Sequence, residues 1–491
     1  MRTPEKKKGK KATTLVLSAR LNDRVTLKTD TDGKIAATFE GYSVELGKFS
    51  ADAVKRALSL GDGLPLASFA SARKPLDAEI GLLVRRLAHS GLIEYGLARG
   101  NKDIVVIEPQ MAGYWPNLSK PGNPDSVVLS RFAYLRRRGN DMVLESPRAG
   151  ALFRICDPAI AAQLVALSTP QKISKLRKER GFPGIELFAL LLDSQMLFRV
   201  DGAAGNGLRA GEGDENLVLW DFHDLLFHVH STEGRQANPL GGLYPYADVI
   251  APPPAVRPAW PGNAIDLKEL ATPSTASISP FATLLQERHS EREFNDSDPI
   301  RLAELAQLLA NGARVRSKWT SQLDFGDGSG GGPDVDYTAR PYPSAGSAYE
   351  LELYLAVVNC AGLERGFYHY DADRHVLVPI EVREQELDAV LASAEYAMDA
   401  LASPQILITI AARFNRINWK YSAIAYSLIL KDVGVLMQTL YLAATEMGLG
   451  GCAIGTNNID LFEKMTGLPF HVEGPVGQFA LGRGSAQPPP T

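Results

Sequence analysis

Cysteine is scarce in this chain of 491 residues. Only three are present, far apart in the sequence: Cys156, Cys360 and Cys452. An odd number at this spacing argues against a disulfide scaffold and against a zinc site made of cysteines. Long hydrophobic runs are missing too, because the longest apolar stretch, residues 421–448, is interrupted by three charged residues. A membrane-spanning helix needs about 18 uninterrupted apolar residues, so we expect no membrane partner.

The chain also has no excess of positive charge. Lysine and arginine number 52 against 56 acidic residues, which gives a net charge of -4 and an isoelectric point near 6.1. This balance offers no strongly basic surface, so we expect no nucleic-acid partner. The basic start, residues 1–12, has no apolar segment after it. We therefore interpret it as a disordered tail rather than a signal peptide, and expect a cytoplasmic protein.

What is present is the composition of globular protein, with 45% hydrophobic and 22% charged residues. At about 150 residues per domain, the length predicts roughly three domains. The first part reads as a small mixed unit, in which two β-rich runs at residues 24–30 and 34–40 flank an Asp-Gly pair. Such a pair is a strong hairpin signal. Ser50 and Asp77 each stand where they can cap a helix, and residues 92–95 form a closing strand.

The same order of elements appears a second time. Residues 127–137 and 142–145 form the next predicted hairpin, and Asp157 before a proline predicts a helix start. Further helices are predicted over residues 172–180 and 185–192. A hairpin with three helices, repeated in tandem, is typical of winged-helix domains.

Winged helices bind either DNA or peptides. Positive charge is concentrated only in the second copy, at residues 172–180, whereas the matching helix of the first copy offers only Arg85 and Arg86. DNA binding depends on concentrated positive charge, so it is the weaker interpretation. The favoured alternative is a peptide that pairs along the exposed edge of the hairpin by strand addition.

Glycines and prolines mark residues 201–263 as a linker, with an ordered insert where large apolar residues return. Within the insert, His228 and His230 are predicted on one side of a strand, with His223 nearby. The neighbouring carboxylates complete no familiar ligand spacing with them, so we expect no metal site. The predicted divisions are a disordered basic tail (1–12), winged-helix domain 1 (13–105), winged-helix domain 2 (125–200), the linker (201–263) and a third domain (264–491).

The third domain opens with a compact group of polar residues after a predicted helix at residues 281–287. The group consists of Arg288, His289, Ser290, Glu291 and Arg292. Two guanidinium groups and a hydroxyl at this spacing can bind a phosphate. A surface charge cluster is the alternative interpretation.

Two turns follow. The glycine-rich run at residues 326–331 matches a dinucleotide-binding pattern but does not lie between a strand and a helix, so we interpret it as a loop. The second turn precedes a predicted strand at residues 350–357 and consists of Pro343, Ser344, Ala345 and Gly346. Its small side chains let backbone amides and a hydroxyl approach a flat ligand, although a purely structural turn remains the alternative.

A long helix is predicted over residues 423–447, with Gly448 at its C-terminal end. Lys420 and Tyr421 stand just before it. Burial lowers the pKa of a lysine and a nearby ammonium lowers the pKa of a tyrosine, so such a pair can share a proton. A solvated lysine beside a core tyrosine is the alternative.

These motifs occur in one domain and in this order, together with the segments at residues 366–370, 425–434 and 474–482. In this combination the third domain resembles the flavin-dependent azoline oxidases of ribosomal peptide biosynthesis, the SagB/ThcOx group of the nitroreductase superfamily. Segment 425–434 is similar to the cyanobactin thiazoline oxidase branch. Ser427 and Val435 replace the Arg and His often found in the streptolysin and microcin type enzymes, and both agree with the cyanobactin branch. The two winged-helix copies also resemble the leader-peptide-recognition units of that branch.

The resemblance implies an α+β protein in which a nitroreductase-like FMN domain follows two winged-helix domains, and which forms a homodimer around the FMN. It assigns the phosphate to the motif of Arg288, His289, Ser290 and Arg292, with Arg483 as a further contact. It places Pro343, Ser344, Ala345 and Gly346 along the flavin and ribityl chain, and a backbone amide of Ile454 and Gly455 near the flavin N5. Lys420 and Tyr421 match the catalytic pair of azoline dehydrogenases, and the sequence leaves open which of them is the base.

The function predicted in this way is dehydrogenation of peptide thiazolines or oxazolines to thiazoles or oxazoles. The expected partners are an azoline-containing precursor peptide and the cyclodehydratase that forms the azolines. Two alternatives stay open at this point: an NAD(P)H-dependent nitro or quinone reductase, and a non-catalytic scaffold that binds a leader peptide.

Overall fold

A computed structural model describes residues 15–39, 42–119, 121–122, 125–179, 182–200, 214–237, 240–259, 261–268, 270, 279–324 and 331–484. The chain forms two compact units, residues 1–237 and residues 238–491. The predicted tail at residues 1–12 lies outside the described residues, and so does the predicted loop at residues 326–331, apart from Gly331.

The first unit alternates short strands and helices. Its strands are β1 (Leu15–Leu21), β2 (Val25–Thr29), β3 (Lys34–Phe39), β4 (Tyr42–Lys48), β5 (Leu64–Pro65), β6 (Ile93–Arg99), β7 (Lys102–Pro109), β8 (Ser126–Leu129), β9 (Tyr134–Arg138), β10 (Asp141–Glu145), β11 (Ala151–Ile155), β12 (Gln171–Lys172) and β13 (Leu197–Arg199). Its helices are α1 (Ala51–Ala57), α2 (Pro75–His89), α3 (Pro158–Ala166), α4 (Ile173–Leu176), α5 (Ile185–Asp193), α6 (Glu215–Leu219) and α7 (Phe222–His230).

One antiparallel sheet crosses both predicted copies, in the strand order β5-β1-β6-β7-β11-β10-β9. The copies meet where β7 pairs with β11, from Val105 opposite Ile155 to Pro109 opposite Ala151. A single hydrophobic cluster includes buried residues of both copies, such as Leu87 and Phe188. The two copies therefore share a sheet and a core. Smaller sheets, β2-β3-β4 and β12-β8-β13, complete the unit.

Local signals in the first copy are confirmed except at one helix start. Strands β2 and β3 form the predicted hairpin, and the Ser50 side chain caps α1 by accepting the Ala53 N–H. The predicted cap at Asp77 is wrong, because α2 already begins at Pro75. Proline is well suited to a first helical position, and the Asp77 carboxylate instead binds Arg56 at 2.8 Å.

The second copy departs from the prediction in its strands. Residues 127–137 were expected to form one run, but they contain β8 and β9, which belong to different sheets. The hairpin of β9 and β10 and the capping of α3 by Asp157 are confirmed. The helix expected over residues 172–180 covers only Ile173–Leu176.

The insert at residues 220–231 is helical, so the strand predicted for His228 and His230 is wrong. Asp221 caps α7, and Leu225 and Val229, four residues apart, are buried on one face. Residues two apart do not share a face of a helix. His228 is accordingly buried and stacked on Trp220, with ring centroids 5.8 Å apart, whereas His230 is exposed.

The second unit contains one larger sheet and a long central helix. Its strands are β14 (Ile300–Arg301), β15 (Ser317–Gln322), β16 (Asp334–Ala339), β17 (Leu351–Val357), β18 (Cys360–Ala361), β19 (Gly366–Asp371), β20 (Val376–Ile380), β21 (Ile406–Arg413), β22 (Gly450–Ile454) and β23 (Glu473–Gly482). Its helices are α8 (Pro280–Glu287), α9 (Leu302–Gly312), α10 (Glu384–Met398), α11 (Phe414–Asn418), α12 (Ala425–Glu446) and α13 (Ile459–Thr466).

The six-stranded sheet has the order β20-β19-β17-β21-β23-β22 and is antiparallel throughout. Its central strands β21 and β23 are almost wholly buried. Helix α12 has the length and apolar composition of a membrane span. It packs against α9, β22 and β23 through buried residues such as Leu436 and Leu440, as a core helix does. The predicted helices at residues 281–287 and 423–447 and the predicted strand at 350–357 are confirmed to within a few residues.

Candidate active site

Lys420 and Tyr421 meet the turn that carries Gly346. The two residues lie in the short connection between α11 and α12, and Lys420 Nζ donates a hydrogen bond to the Gly346 carbonyl oxygen at 3.0 Å. Gly346 has a φ of +55°, and a Cβ there would collide with Lys420 Nζ and Tyr421 Oη. The positive φ and this close approach favour glycine where these groups come together.

The Lys420 side chain is exposed. Its Nζ lies 5.4 Å from the ring centroid of Tyr421 and 5.8 Å from that of Tyr337 on β16. The positive charge therefore stands between two phenol rings, at a distance where cation–π attraction acts. Tyr337 also stacks on Trp319 of β15, with centroids 5.6 Å apart.

Ser344 is turned toward the interior of the protein. Its hydroxyl lies 2.9 Å from Asp432 Oδ2 and 3.2 Å from Glu350 Oε2, and it accepts the Tyr349 N–H at 2.9 Å. The Ala345 N–H donates to the same Asp432 oxygen at 2.8 Å. The turn is thus fixed on its buried side by the carboxyl groups of Glu350 and Asp432, neither of which was a predicted site residue. Burial, reinforced by the charge of Asp432, raises the pKa of Glu350 to about 7.

Arg288 and Ser290 converge on Tyr441, near the C-terminal end of α12. The Tyr441 hydroxyl accepts the Ala453 N–H at 2.8 Å and lies 2.8 Å from Ser290 Oγ. The Arg288 guanidinium lies 5.1 Å from the centroid of the Tyr441 ring. Tyr441 therefore links this segment to β22. No local motif marked Tyr441, because its partners are distant in sequence.

Two other members of the polar group lie at the surface. His289 and Arg292 are both exposed, and the His289 Nδ1 lies 2.9 Å from the Glu287 carbonyl oxygen. In the part of the chain that the structure describes, neither Arg288 nor Arg292 forms an ion pair with a carboxylate. Their guanidinium groups remain able to bind a phosphate.

Arg483 is placed differently from the other predicted phosphate ligands. Its guanidinium makes two hydrogen bonds to the Glu304 carboxylate, at 3.0 and 2.9 Å, and lies 3.2 Å from Asp298. Hydrogen bonds from Arg301 and Arg483 lower the pKa of Glu304 to about 2. Arg483 thus already takes part in an ion-pair network that connects the end of β23 with α9.

Ile454 and Gly455 lie at the end of β22. Ile454 is buried and pairs with Gln478 of β23. Gly455 is exposed, and a Cβ built on it would meet no atom within 4 Å. The backbone is consequently open to a ligand at this point, next to the Ala453 amide that Tyr441 fixes.

A flavin fits this arrangement of residues. Asp432 and Tyr441 stand nine positions apart on α12, which corresponds to about 14 Å along the helix axis. Asp432 fixes the turn of Pro343, Ser344, Ala345 and Gly346. Tyr441 contacts the arginine and serine of the phosphate motif. A long ligand with a planar ring system at one end and a phosphate at the other matches two such anchored groups.

Comparison with known proteins finds relatives for both parts of the chain. The model of the nitroreductase family matches residues 285–483, and the model described as cyanobactin oxidase ThcOx matches residues 127–237. The putative nitroreductase MJ1384 of Methanocaldococcus jannaschii is 30% identical over 190 residues, which are 39% of this chain and 85% of that protein. The microcin B17-processing protein McbC of Escherichia coli is 28% identical over 122 residues, 24% of this chain and 44% of McbC.

Among solved structures, the E. coli microcin synthetase McbBCD complex with truncated pro-MccB17 bound contains a chain similar to this one. The match has a TM-score of 0.39 and 19% identity, and covers 56% of this chain and 97% of that chain.

The chain belongs to the nitroreductase family, whose members are flavin-dependent oxidoreductases. The matches to the cyanobactin oxidase model and to the microcin- and trifolitoxin-processing proteins support the resemblance to the SagB/ThcOx group.

Proposed function

We propose that this protein oxidises thiazolines or oxazolines in a precursor peptide to the aromatic thiazoles or oxazoles, with FMN as its flavin. The observation that carries the proposal is the Lys420–Tyr421 pair held against the Gly346 turn. The matches to the cyanobactin oxidase and to a microcin-processing protein support the same reaction class. The reductase and scaffold alternatives gain no comparable support.

Aromatisation of an azoline removes a hydride from one ring carbon and a proton from its neighbour. A bound flavin supplies the acceptor for the hydride. The protein has to take up the proton, and Tyr421 Oη or Lys420 Nζ is the base. The hydrogen bond from Lys420 to Gly346 fixes the ammonium beside the Tyr421 ring.

The reaction can be tested directly with purified protein. A synthetic peptide containing one thiazoline should lose two mass units on incubation, and the protein should carry a flavin absorbance band. Rapid bleaching of the flavin by NADH, together with no change in peptide mass, would instead favour the reductase alternative.

The FMN phosphate is assigned to Arg288, Ser290 and Arg292, which the geometry leaves available. Replacing Tyr441 by Phe removes the hydroxyl that contacts Ser290 and the Ala453 amide. A buried hydrogen bond of this kind contributes about 1–2 kcal/mol, so FMN affinity should fall roughly fivefold to thirtyfold. Flavin fluorescence titration measures this change. Tyr396→Phe on α10, where the ring is exposed, is the matched control and should bind FMN as the unaltered protein does.

We also propose that the protein acts as a homodimer through its second unit and receives its substrate from a cyclodehydratase. Exposed apolar side chains on α8 and α12 support an interface: Phe281, Leu285 and Val435. Apolar residues gathered on exposed helix faces are typical of surfaces that associate.

In the first unit we propose winged-helix-like peptide recognition along β4. This strand pairs only with β3 among the described strands, so its other edge is open to a further strand. A cleft of about 460 Å³ lies between β4 and α2, lined by Val44, Leu46, Arg85, Arg86 and His89. The mixture of apolar and basic groups suits a peptide with apolar and acidic side chains.

Replacing Val44 by Glu should weaken binding of the leader peptide by about tenfold or more, because it puts a negative charge in the apolar part of this cleft. Isothermal titration of the full-length chain with the leader of its precursor peptide measures the effect. Val16→Glu on β1 is the matched control, since Val16 is 42% exposed and Val44 is 40% exposed. Equal weakening by both variants would contradict a site at β4.

A further inference from the structure

A pair of buried carboxyl groups lies directly beneath the Ser344–Gly346 turn. Glu350 has no exposed surface and Asp432 is 7% exposed. Glu350 stands just before β17, while Asp432 lies on α12, so the pair connects the sheet to the central helix. The proton-transfer step proposed above makes no use of either group. Carboxyl groups buried this deeply need a specific reason to remain there.

Counting the hydrogens around Ser344 shows that the two carboxyl groups cannot both be ionised without leaving a contact unsatisfied. Ser344 has one hydroxyl hydrogen, yet its oxygen lies 2.9 Å from Asp432 and 3.2 Å from Glu350. The hydrogen goes to the nearer acceptor, Asp432 Oδ2, which also receives the Ala345 N–H. The Ser344 hydroxyl therefore supplies no hydrogen to Glu350.

The location of the negative charge follows from these donors. Asp432 Oδ2 accepts two hydrogen bonds, which stabilise an anion. Glu350 Oε1 is buried and has no hydrogen-bond partner among the described residues. An ionised carboxylate with a bare buried oxygen is strongly disfavoured, whereas a protonated acid is tolerated. The raised pKa of Glu350 agrees with this assignment.

We propose that Glu350 and Asp432 share a single proton at neutral pH, with Glu350 as the acid and Asp432 as the anion, and that this state fixes the turn against which Lys420 is held. Both are positioning residues, since they act on Lys420 through the Gly346 carbonyl. The effect on catalysis rests on the proposed function, whereas the shared proton does not.

Other charged and titratable groups lie close to Glu350. Tyr342 is buried near Glu350, and its hydroxyl has no hydrogen-bond partner among the described residues. Burial raises the pKa of Tyr342. Further polar and charged groups on the surrounding segments are Arg340, Ser344, Glu352, Arg413, Arg416 and Lys420. Arg340 and Arg413 face Glu352, and Arg416 donates to the Ala348 carbonyl.

The shared proton predicts a loss of function as the pH rises. Above the pKa of Glu350 the proton leaves, and two anions then lie in contact beneath the turn. Their repulsion displaces Ser344 and Ala345, and the carbonyl that fixes Lys420 moves with them. FMN affinity and azoline turnover should therefore both decline through neutral pH.

Glu350→Gln tests the proposal, because glutamine is neutral at every pH and nearly the shape of the protonated acid. Between about pH 6 and about pH 8.5, the wild-type protein should lose roughly tenfold in turnover and severalfold in FMN affinity. The Glu350→Gln protein should show neither decline, and Glu350→Ala should be impaired at both pH values. A Glu350→Gln protein that follows the wild-type pH profile would overturn the proposal.

Infrared difference spectroscopy provides a measurement that needs no substrate. The wild-type protein should show a protonated carboxylic acid band near pH 6 that is lost by about pH 8.5, and Glu350→Gln should lack this band. Absence of the band from the wild-type protein would equally refute the shared proton. If the peptide is not oxidised at any pH, the proposed function fails, but the infrared and FMN measurements still decide the state of the pair.

Discussion

Replacing Lys420 by Ala or Tyr421 by Phe is expected to lower azoline turnover by about 10²–10⁴-fold while flavin remains bound. The loss is this large because the two side chains are the proposed proton acceptor and the charge that stabilises it. Flavin should be retained because the groups assigned to its phosphate, Arg288 and Ser290, are fixed separately by Tyr441. Turnover is followed as loss of two mass units, and flavin content by absorbance.

The single variants also distinguish the roles of the two residues. If Tyr421 Oη is the base, Lys420→Arg should keep partial activity, since it preserves the positive charge, whereas Tyr421→Phe should not. Lys431→Ala is the matched control, because Lys431 is an exposed lysine on α12 that points away from the core. Normal turnover in both Lys420→Ala and Tyr421→Phe would remove the pair from the reaction.

The second large effect is expected from adding one methyl group at Gly346. The φ of +55° disfavours alanine by about 1 kcal/mol, and the new Cβ collides with Lys420 Nζ and Tyr421 Oη. Both groups must move, and a displacement of about 1 Å at a reacting centre can cost about 100-fold in rate. Turnover of Gly346→Ala should therefore fall far more than its thermal stability.

Gly434→Ala provides the control for this variant. Gly434 lies inside α12, and a Cβ there would meet no atom within 4 Å. Alanine is the better helix former by about 0.5–1 kcal/mol, so this protein should melt slightly higher and turn over normally. If Gly346→Ala behaved like Gly434→Ala, the close approach of Gly346 to the pair would not matter for the reaction.

The parts of the site that could be predicted from sequence are those with local signals. A turn of small residues, arginines beside a serine, and a lysine beside a tyrosine are visible as short segments. Their convergence around α12 depends on Asp432 and Tyr441, whose contacts span 87 and 151 positions of sequence. Asp432 stands out locally as a charged residue in an apolar helix, but neither its partner nor that of Tyr441 can be read from the neighbouring sequence.

The departures from the predicted fold also arise from contacts between residues that are distant in sequence. The pairing of β7 with β11 depends on tertiary contacts, so the repeat suggested two domains where one sheet is found. His228 alternates with His230 as strand residues do, but the Asp221 cap and the burial of Leu225 and Val229 stabilise a helix instead. Arg483 was predicted to contact the phosphate, but its guanidinium is hydrogen-bonded to the carboxylate of Glu304, which is distant in sequence.

The continuous sheet of the first unit makes its two repeats depend on each other. Where β7 meets β11, five residues of each strand complete the other's hydrogen bonds. Dividing the chain between the copies would leave β7 and β11 as unpaired edge strands, which are prone to aggregation. We therefore expect neither repeat to remain soluble and folded when it is expressed without the other.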